Sequence, residues 1–262
     1  MTNTSIQTPE NDASPYWGFF ATIALAILAF IIYGLVQAAI IIGMAFSNGS
    51  LSLELLTSNA PDLEKKLNDI IFNGDLLGMT GIPSTLVGVG LIILFVFLKD
   101  KLSISQYLDL RSPQNPIKTY LKWIGVMLLV FVAMEVGTYL IGHEAPEFMS
   151  RIYSTSNNKI LLWITVGVAA PIFEEFLFRG FLLEGLRHSF VGTAGAIILT
   201  SATFAIIHQQ YGWFEIVPIF IIGVIFAVAK LKTNSLYVPI VMHMFMNLSA
   251  SALMEFAPEL AQ

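Results

Sequence analysis

The sequence contains no cysteine, which excludes disulfides, thiolate nucleophiles and cysteine-ligated metals. It is also short of charge. Only 12% of its 262 residues are Asp, Glu, Lys or Arg, roughly half the fraction usual in a soluble domain. Thirteen basic against eighteen acidic side chains leave a net charge of −5, and with no basic patch to neutralise phosphates a nucleic-acid partner is excluded. The polar stretch Met1–Pro15 has no Lys or Arg, so it lacks the basic region of a signal peptide and the first apolar run is expected to stay in the chain. Internal repeats, heptads and low-complexity segments are absent too, and with them the inverted repeats of many secondary transporters.

What the chain has instead is apolar length. Hydrophobic residues make up 56% of it and the mean hydropathy is +0.75, the composition of a polytopic membrane protein. The expected fold class is an all-α helix bundle with about seven spans: Tyr16–Phe46, Leu76–Leu98, Tyr120–Ile141, the run from Ile160 through Arg179, Val191–His208, Trp213–Lys230 and Ser235–Glu255. Leu51, Leu53, Leu67, Ile70 and Ile71 among charged neighbours predict an interfacial segment near 51–72. Pro83, Gly81, Gly88 and Gly90 predict a kink or a close contact in the second span. His143–Lys159 reads as a loop. The connection from Lys99 to Lys122 and the turn Lys230–Lys232 are the most basic loops. By the positive-inside rule they are cytoplasmic, with the N-terminus on the same side, in what is expected to be the plasma membrane. The organisation expected is a tail at 1–15, N-terminal membrane helices at 16–145 and a membrane core at 146–262.

The core is organised around Pro171-Ile172-Phe173-Glu174-Glu175-Phe176-Leu177-Phe178-Arg179. An ionised side chain at that depth costs about 2.5–3.5 kcal/mol on insertion scales, so such residues usually line a wet cavity and carry function. At helical spacing Glu175 and Arg179 share a face and neutralise each other, whereas Glu174 is rotated about 100° away and left free. Glu135, in the third span, is read as a second partner for Arg179, a cavity residue or an interhelical hydrogen bond.

Two more spans offer polar groups: Phe204 to His208 in one, and His243 with Asn247 at i and i+4 in the other. Glu174 helped by His208 can hold a water and take its proton as the water attacks an amide carbonyl, while His243 and Asn247 can donate to the oxyanion. Glu174, His208 and His243 are equally a His-His-carboxylate set for zinc, although no H-E-x-x-H turn is present. Taken singly, a membrane histidine is more often an interhelical hydrogen bond, Phe204 more often packing, and His143, Glu184, His188 and Glu215 are expected to be interfacial.

Glu174-Glu175 with Arg179, Phe204 with His208, and His243 with Asn247 resemble, in order, the E-E-x-x-x-R, F-x-x-x-H and H-x-x-x-N motifs of the CPBP (Abi, or CAAX protease type II-like) family of intramembrane proteases. The resemblance covers roughly Asn158 to Leu253. It implies an endopeptidase cutting a membrane protein or lipidated, CAAX-like peptide. In that reading Glu174 and His208 activate water, His243 and Asn247 form the oxyanion site, and Glu175 and Arg179 support them, with zinc optional. A non-catalytic immunity or scaffold protein of the same fold and a proton-coupled transporter are the other classes considered. One tension stands. Counted from the expected cytoplasmic ends of straight helices, Glu174, His208 and His243 differ in depth by roughly 10 Å.

Overall fold

The computed structural model describes residues 14–53, 61–143 and 147–257, and every regular element among them is helical. Most of the polar tail and part of the interfacial segment fall outside the described residues. Six helices are long and apolar enough to span a membrane: α1 (Phe19–Ser47), α3 (Gly74–Lys99), α5 (Pro116–Ile141), α7 (Lys159–Arg187), α9 (Trp213–Thr233) and α10 (Tyr237–Phe256). Between them lie α2 (Pro61–Ile71), α4 (Ile104–Leu108), α6 (Glu147–Thr155) and the short apolar α8 (Gly192–Ile206). The fold is an all-α polytopic membrane bundle. The fifth expected span is the exception, because Gly192–Ile206 is only 15 residues long, about 22 Å at 1.5 Å per residue.

Helix α7 is the centre. It contacts α1, α3, α8, α9 and α10, and 44% of its apolar window is buried against 6% for α5. Phe173, Leu177, Phe178, Phe181 and Leu183 are buried against Ile92 and Phe95 of α3, Tyr107 and Leu108 of α4 and Phe204 of α8. Close approach of α3 depends on two of the glycines singled out in the sequence. A Cβ on Gly81 would lie 2.0 Å from Thr165 Cγ2, and one on Gly88 would lie 2.5 Å from the Phe173 ring, whereas Gly90 faces open space. Pro83 sits inside a continuous helix.

Two connections read as loops contain helices. Within Lys99–Lys122, Ser103 and Gln106 form a capping box that starts α4. The stretch His143–Lys159 carries α6. In the stretch expected to be interfacial, residues 61–71 form α2, whose Ile70 packs with Ala45, Leu51 and Leu76 while Leu67 and Ile71 stay exposed.

The basic turn between α9 and α10 is solvated only in part, with Lys232 exposed. Lys230 is fully buried, pairing with Asp109 Oδ2 at 3.0 Å and with Glu184. Arg111 Nε donates to Asn234 O at 2.8 Å, Ser235 Oγ to Arg111 O at 2.6 Å and Leu236 N to Asp109 O at 3.0 Å. Glu184, expected at the interface, is fully buried. A buried cation between two carboxylates is tolerated because each charge is paired, and these bonds tie the start of α10 to α4 and the end of α7.

The depth tension does not hold. Helix α8 returns from the turn that ends α7, so Glu174 lies about 20 Å back from Arg187 while Ile206 lies about 21 Å on from Gly192. His208 Nε2 and His243 Nε2 come within 4.0 and 3.8 Å of Glu174 Oε2.

Candidate active site

The backbone of α7 departs from α-helical register on both sides of the two glutamates, with π-helical turns at Thr165–Ala169 and Phe176–Leu182. Single π turns of this kind gather at functional sites. The first has a local cause. The N–H of Ala170 bonds to Thr165 O, and residue 171 is proline with no N–H, so neither can serve Val166 O. Asn247 Nδ2 donates to that carbonyl at 2.9 Å, and Thr85 Oγ1 to Ala169 O at 3.1 Å. Side chains of α10 and α3 thus complete the hydrogen bonding that the bulge leaves open.

Glu175 and Arg179 are both fully buried. Arg179 Nη1 donates to Glu175 Oε1 at 2.8 Å and Nη2 to Gly223 O at 3.1 Å, and the guanidinium lies 4.3 Å from the centroid of the Phe204 ring. The planar fork spans a carboxylate, a backbone carbonyl and an aromatic face at once. Phe204 also packs against His208 and His243, with centroids 4.8 and 5.7 Å away. One ring thus touches Arg179, His208 and His243. Glu135 does not pair with Arg179; it is half-buried and makes no hydrogen bond or ion pair among the described residues.

Glu174 stands apart, as its rotation on the helix predicts. Its Oε2 is buried without a hydrogen-bond partner, 4.0 Å from His208 Nε2 and 3.8 Å from His243 Nε2. The tautomers follow from the other ring nitrogens. His208 Nδ1 lies 2.7 Å from Phe204 O and His243 Nδ1 lies 3.0 Å from Glu175 Oε1. Both oxygens can only accept, so each neutral ring carries its proton on Nδ1 and turns the Nε2 lone pair toward Glu174. These gaps of 3.8 and 4.0 Å are too wide for direct hydrogen bonds.

Two nitrogens and a carboxylate oxygen are donors of the kind that zinc takes. Their 3.8 and 4.0 Å spacings exceed the edge of about 3.3 Å that bonds of about 2.0–2.1 Å give a tetrahedral ion. Among the described residues no group of three His, Asp or Glu closes into a metal site.

Phenols near Glu174 were not apparent from the sequence. Tyr211, three residues past His208, lies parallel to its ring with centroids 6.1 Å apart. Burial, followed by the Glu174 carboxylate, raises its pKa and keeps it protonated. Tyr33 of α1 stacks on Phe173, the residue before Glu174, with ring centroids 4.0 Å apart. Away from the site, His143 Nε2 pairs with Glu215 Oε1 at 2.6 Å, joining the end of α5 to the start of α9.

Residues 156–249 match the family described as Type II CAAX prenyl endopeptidase Rce1-like. The chain is 32% identical over 140 residues to an uncharacterised 24.3 kDa protein of Escherichia coli, covering 49% of this chain and 64% of that one. It is 27% identical over 162 residues to the membrane-embedded CAAX protease MroQ of Staphylococcus aureus (strain USA300), covering 59% of this chain and 65% of that one. The chain therefore spans just under two thirds of the length of these curated relatives. No solved structure matches it. Glu174-Glu175, Arg179, His208, His243 and Asn247 all lie inside the residues that match that family.

Proposed function

We propose that the chain is a membrane-embedded endopeptidase that hydrolyses a peptide bond with a water activated by Glu174. The observation that carries this reading is the buried, unpartnered Oε2 of Glu174 facing two imidazole lone pairs at 3.8 and 4.0 Å. A carboxylate and two neutral imidazoles around one water form a general-base site. The phrase "CAAX protease" in the name of the Staphylococcus aureus relative supports a membrane-associated, lipidated or CAAX-like substrate.

In the mechanism, the water donates one hydrogen to Glu174 and is oriented by His208 Nε2. Its oxygen bonds to the substrate carbonyl carbon as Glu174 takes the proton, which leaves a tetrahedral oxyanion. The N–H of the Asn247 amide not used on Val166 O is a donor for that charge. Glu174 then passes its proton to the amide nitrogen, the carbon–nitrogen bond breaks, and an acid and an amine leave. His243 is aligned by Glu175 through Nδ1; as an imidazolium it also gains an Nε2 hydrogen that can face the oxyanion. Glu175 and Arg179 hold the frame and do not touch the reacting atoms.

The test is cleavage of a membrane-anchored peptide by the purified protein in detergent. Glu174→Gln is expected to cut the rate by about 10²–10⁴-fold while unfolding at the same temperature as the parent. Undiminished cleavage would remove Glu174 from the chemistry, and an uncleaved panel of anchored peptides with an immunity phenotype intact would favour a non-catalytic role. Metal analysis of the active protein separates this water from a zinc-bound one. A reporter fused to residue 1 tests the cytoplasmic N-terminus.

A further inference from the structure

Helix α9 carries none of the paired motif residues, yet its middle lies against two of them. Gly223 O accepts from Arg179 Nη2 at 3.1 Å. A Cβ on Gly223 would come within 3.1 Å of Ser201 Cβ and 3.3 Å of that nitrogen, so glycine is what lets the helix approach. Phe226 follows at i+3, on the same face. It is fully buried, its ring centroid 5.2 Å from the Arg179 guanidinium and 5.1 Å from the His243 imidazole.

The bond between His243 Nδ1 and Glu175 Oε1 anchors one end of the imidazole. Hydrogen bonds weaken steeply only below about 120°, so this one alone tolerates a wide tilt of the ring. Two aromatic side chains narrow it. Phe204 meets the imidazole edge-on, at 5.7 Å and 80°, and Phe226 meets it more nearly face to face, at 5.1 Å and 34°. Both separations are those of favourable ring pairs. Phe226 is itself wedged in a buried cluster with Met242 and Met246 of α10 and Trp123 of α5, so the wall it offers is a close-packed one.

We propose that Phe226 is a positioning residue: the face of its ring holds the His243 imidazole in the plane that turns Nε2 toward Glu174 Oε2, 3.8 Å away, and ties that plane to the Arg179 guanidinium through a cation–π contact. The proposal rests on the peptidase reading above. It gives α9 a part in the active site through Gly223 O and the Phe226 ring, neither of which lies in a motif.

Phe226→Leu removes the ring, and Trp123→Leu removes a ring from the same cluster on α5. Phe226→Leu is expected to lower kcat about 10–100-fold with KM within about twofold, whereas Trp123→Leu lowers the unfolding temperature and keeps kcat. Equal losses of kcat in the two would trace the effect to packing and overturn the proposal. Phe226→pentafluorophenylalanine keeps the ring and depletes its face of electron density. Its kcat is expected to fall while the unfolding temperature holds, and a parental kcat overturns the role of the ring face. Orientation is read separately, without turnover. With ¹⁵N-labelled histidine, the downfield N–H resonance that disappears in His243→Gln is expected to shift and broaden in Phe226→Leu and to stay in Trp123→Leu. A resonance unchanged in Phe226→Leu overturns the placement. If cleavage is indifferent to Glu174→Gln, the peptidase reading falls and the role of Phe226 in turnover falls with it, while the labelled resonance still reports whether the ring holds His243.

Discussion

His243 and Glu175 are joined by a hydrogen bond of 3.0 Å from Nδ1 to Oε1, and the same oxygen accepts from Arg179 Nη1 at 2.8 Å. A single buried carboxylate oxygen therefore sets both the charge balance of α7 and the tautomer of a histidine 68 positions later. Because Glu175 and Arg179 are fully buried, Arg179→Met strands an uncompensated carboxylate and is expected to cost about 3–5 kcal/mol. Glu174→Gln, at a carboxylate whose Oε2 has no partner to lose, is expected to cost well under about 1 kcal/mol. Denaturant unfolding of the two variants in one detergent makes the comparison. Equal losses would show that the two glutamates are not divided into a support and a reactive group.

The contact between α3 and the first π turn makes a second prediction. Gly81→Val must push its side chain into Thr165, whose Oγ1 is bonded to Gly78 O at 2.7 Å. Overpacking of this kind costs typically about 1–3 kcal/mol. Activity is expected to fall further than stability, because Thr165 opens the bulge that aims Glu174. Gly90→Ala, with nothing within 4 Å of its Cβ, is expected to leave both unchanged. Parallel melting curves and rates for the pair check this, and a Gly81→Val protein with parental activity would dissociate α3 packing from the site.

The parts of this arrangement legible in the sequence are those that depend on local spacing. Glu175 and Arg179 pair at i and i+4 with Glu174 turned aside, as helical geometry requires. His208 and His243 reach Glu174, but the depth at which they do so was hidden. Helix ends look basic whether they are solvated or, as for Lys230, buried against carboxylates contributed by distant elements. The π turns were equally hidden. Pro171 signals a disturbance, but its form is set by Asn247 and Thr85, 76 positions after it and 86 before it.

The α7–α8 turn carries a pH dependence. His188 stacks on Tyr16 with centroids 3.9 Å apart, its Nδ1 donates to Glu184 O at 2.9 Å, and Glu184 Oε2 lies 3.7 Å away. Burial first, and then Arg187, lower its pKa from 6.5, with Asp109 opposing in part. The unfolded chain therefore binds this proton at a higher pH than the folded one. Stability is complete above about pH 6.5 and declines as pH falls from there through the lower folded value. Unfolding temperature measured from pH 7.5 to 5 in parent and His188→Gln is expected to show a steeper fall in the parent. Coincident curves would mean that the turn does not sense the proton.

The bond from Asn247 to Val166 O allows a test that separates backbone support from oxyanion chemistry. Asn247→Ala leaves a buried carbonyl without a donor, since Ala170 N–H is committed to Thr165 O and Pro171 has none. The expected cost is about 1–3 kcal/mol. Pro171→Ala returns an N–H to the helix at the position from which a π-type bond reaches Val166 O. If the orphaned carbonyl is the cause, Pro171→Ala recovers part of the stability that Asn247→Ala loses, and the double-mutant cycle shows a coupling of about 0.5–3 kcal/mol. In the proposed mechanism turnover is expected not to recover with it, because alanine at 247 has no N–H to offer the oxyanion. Strict additivity in stability would remove Asn247 from the support of the bulge, and rescue of turnover together with stability would remove it from the oxyanion site.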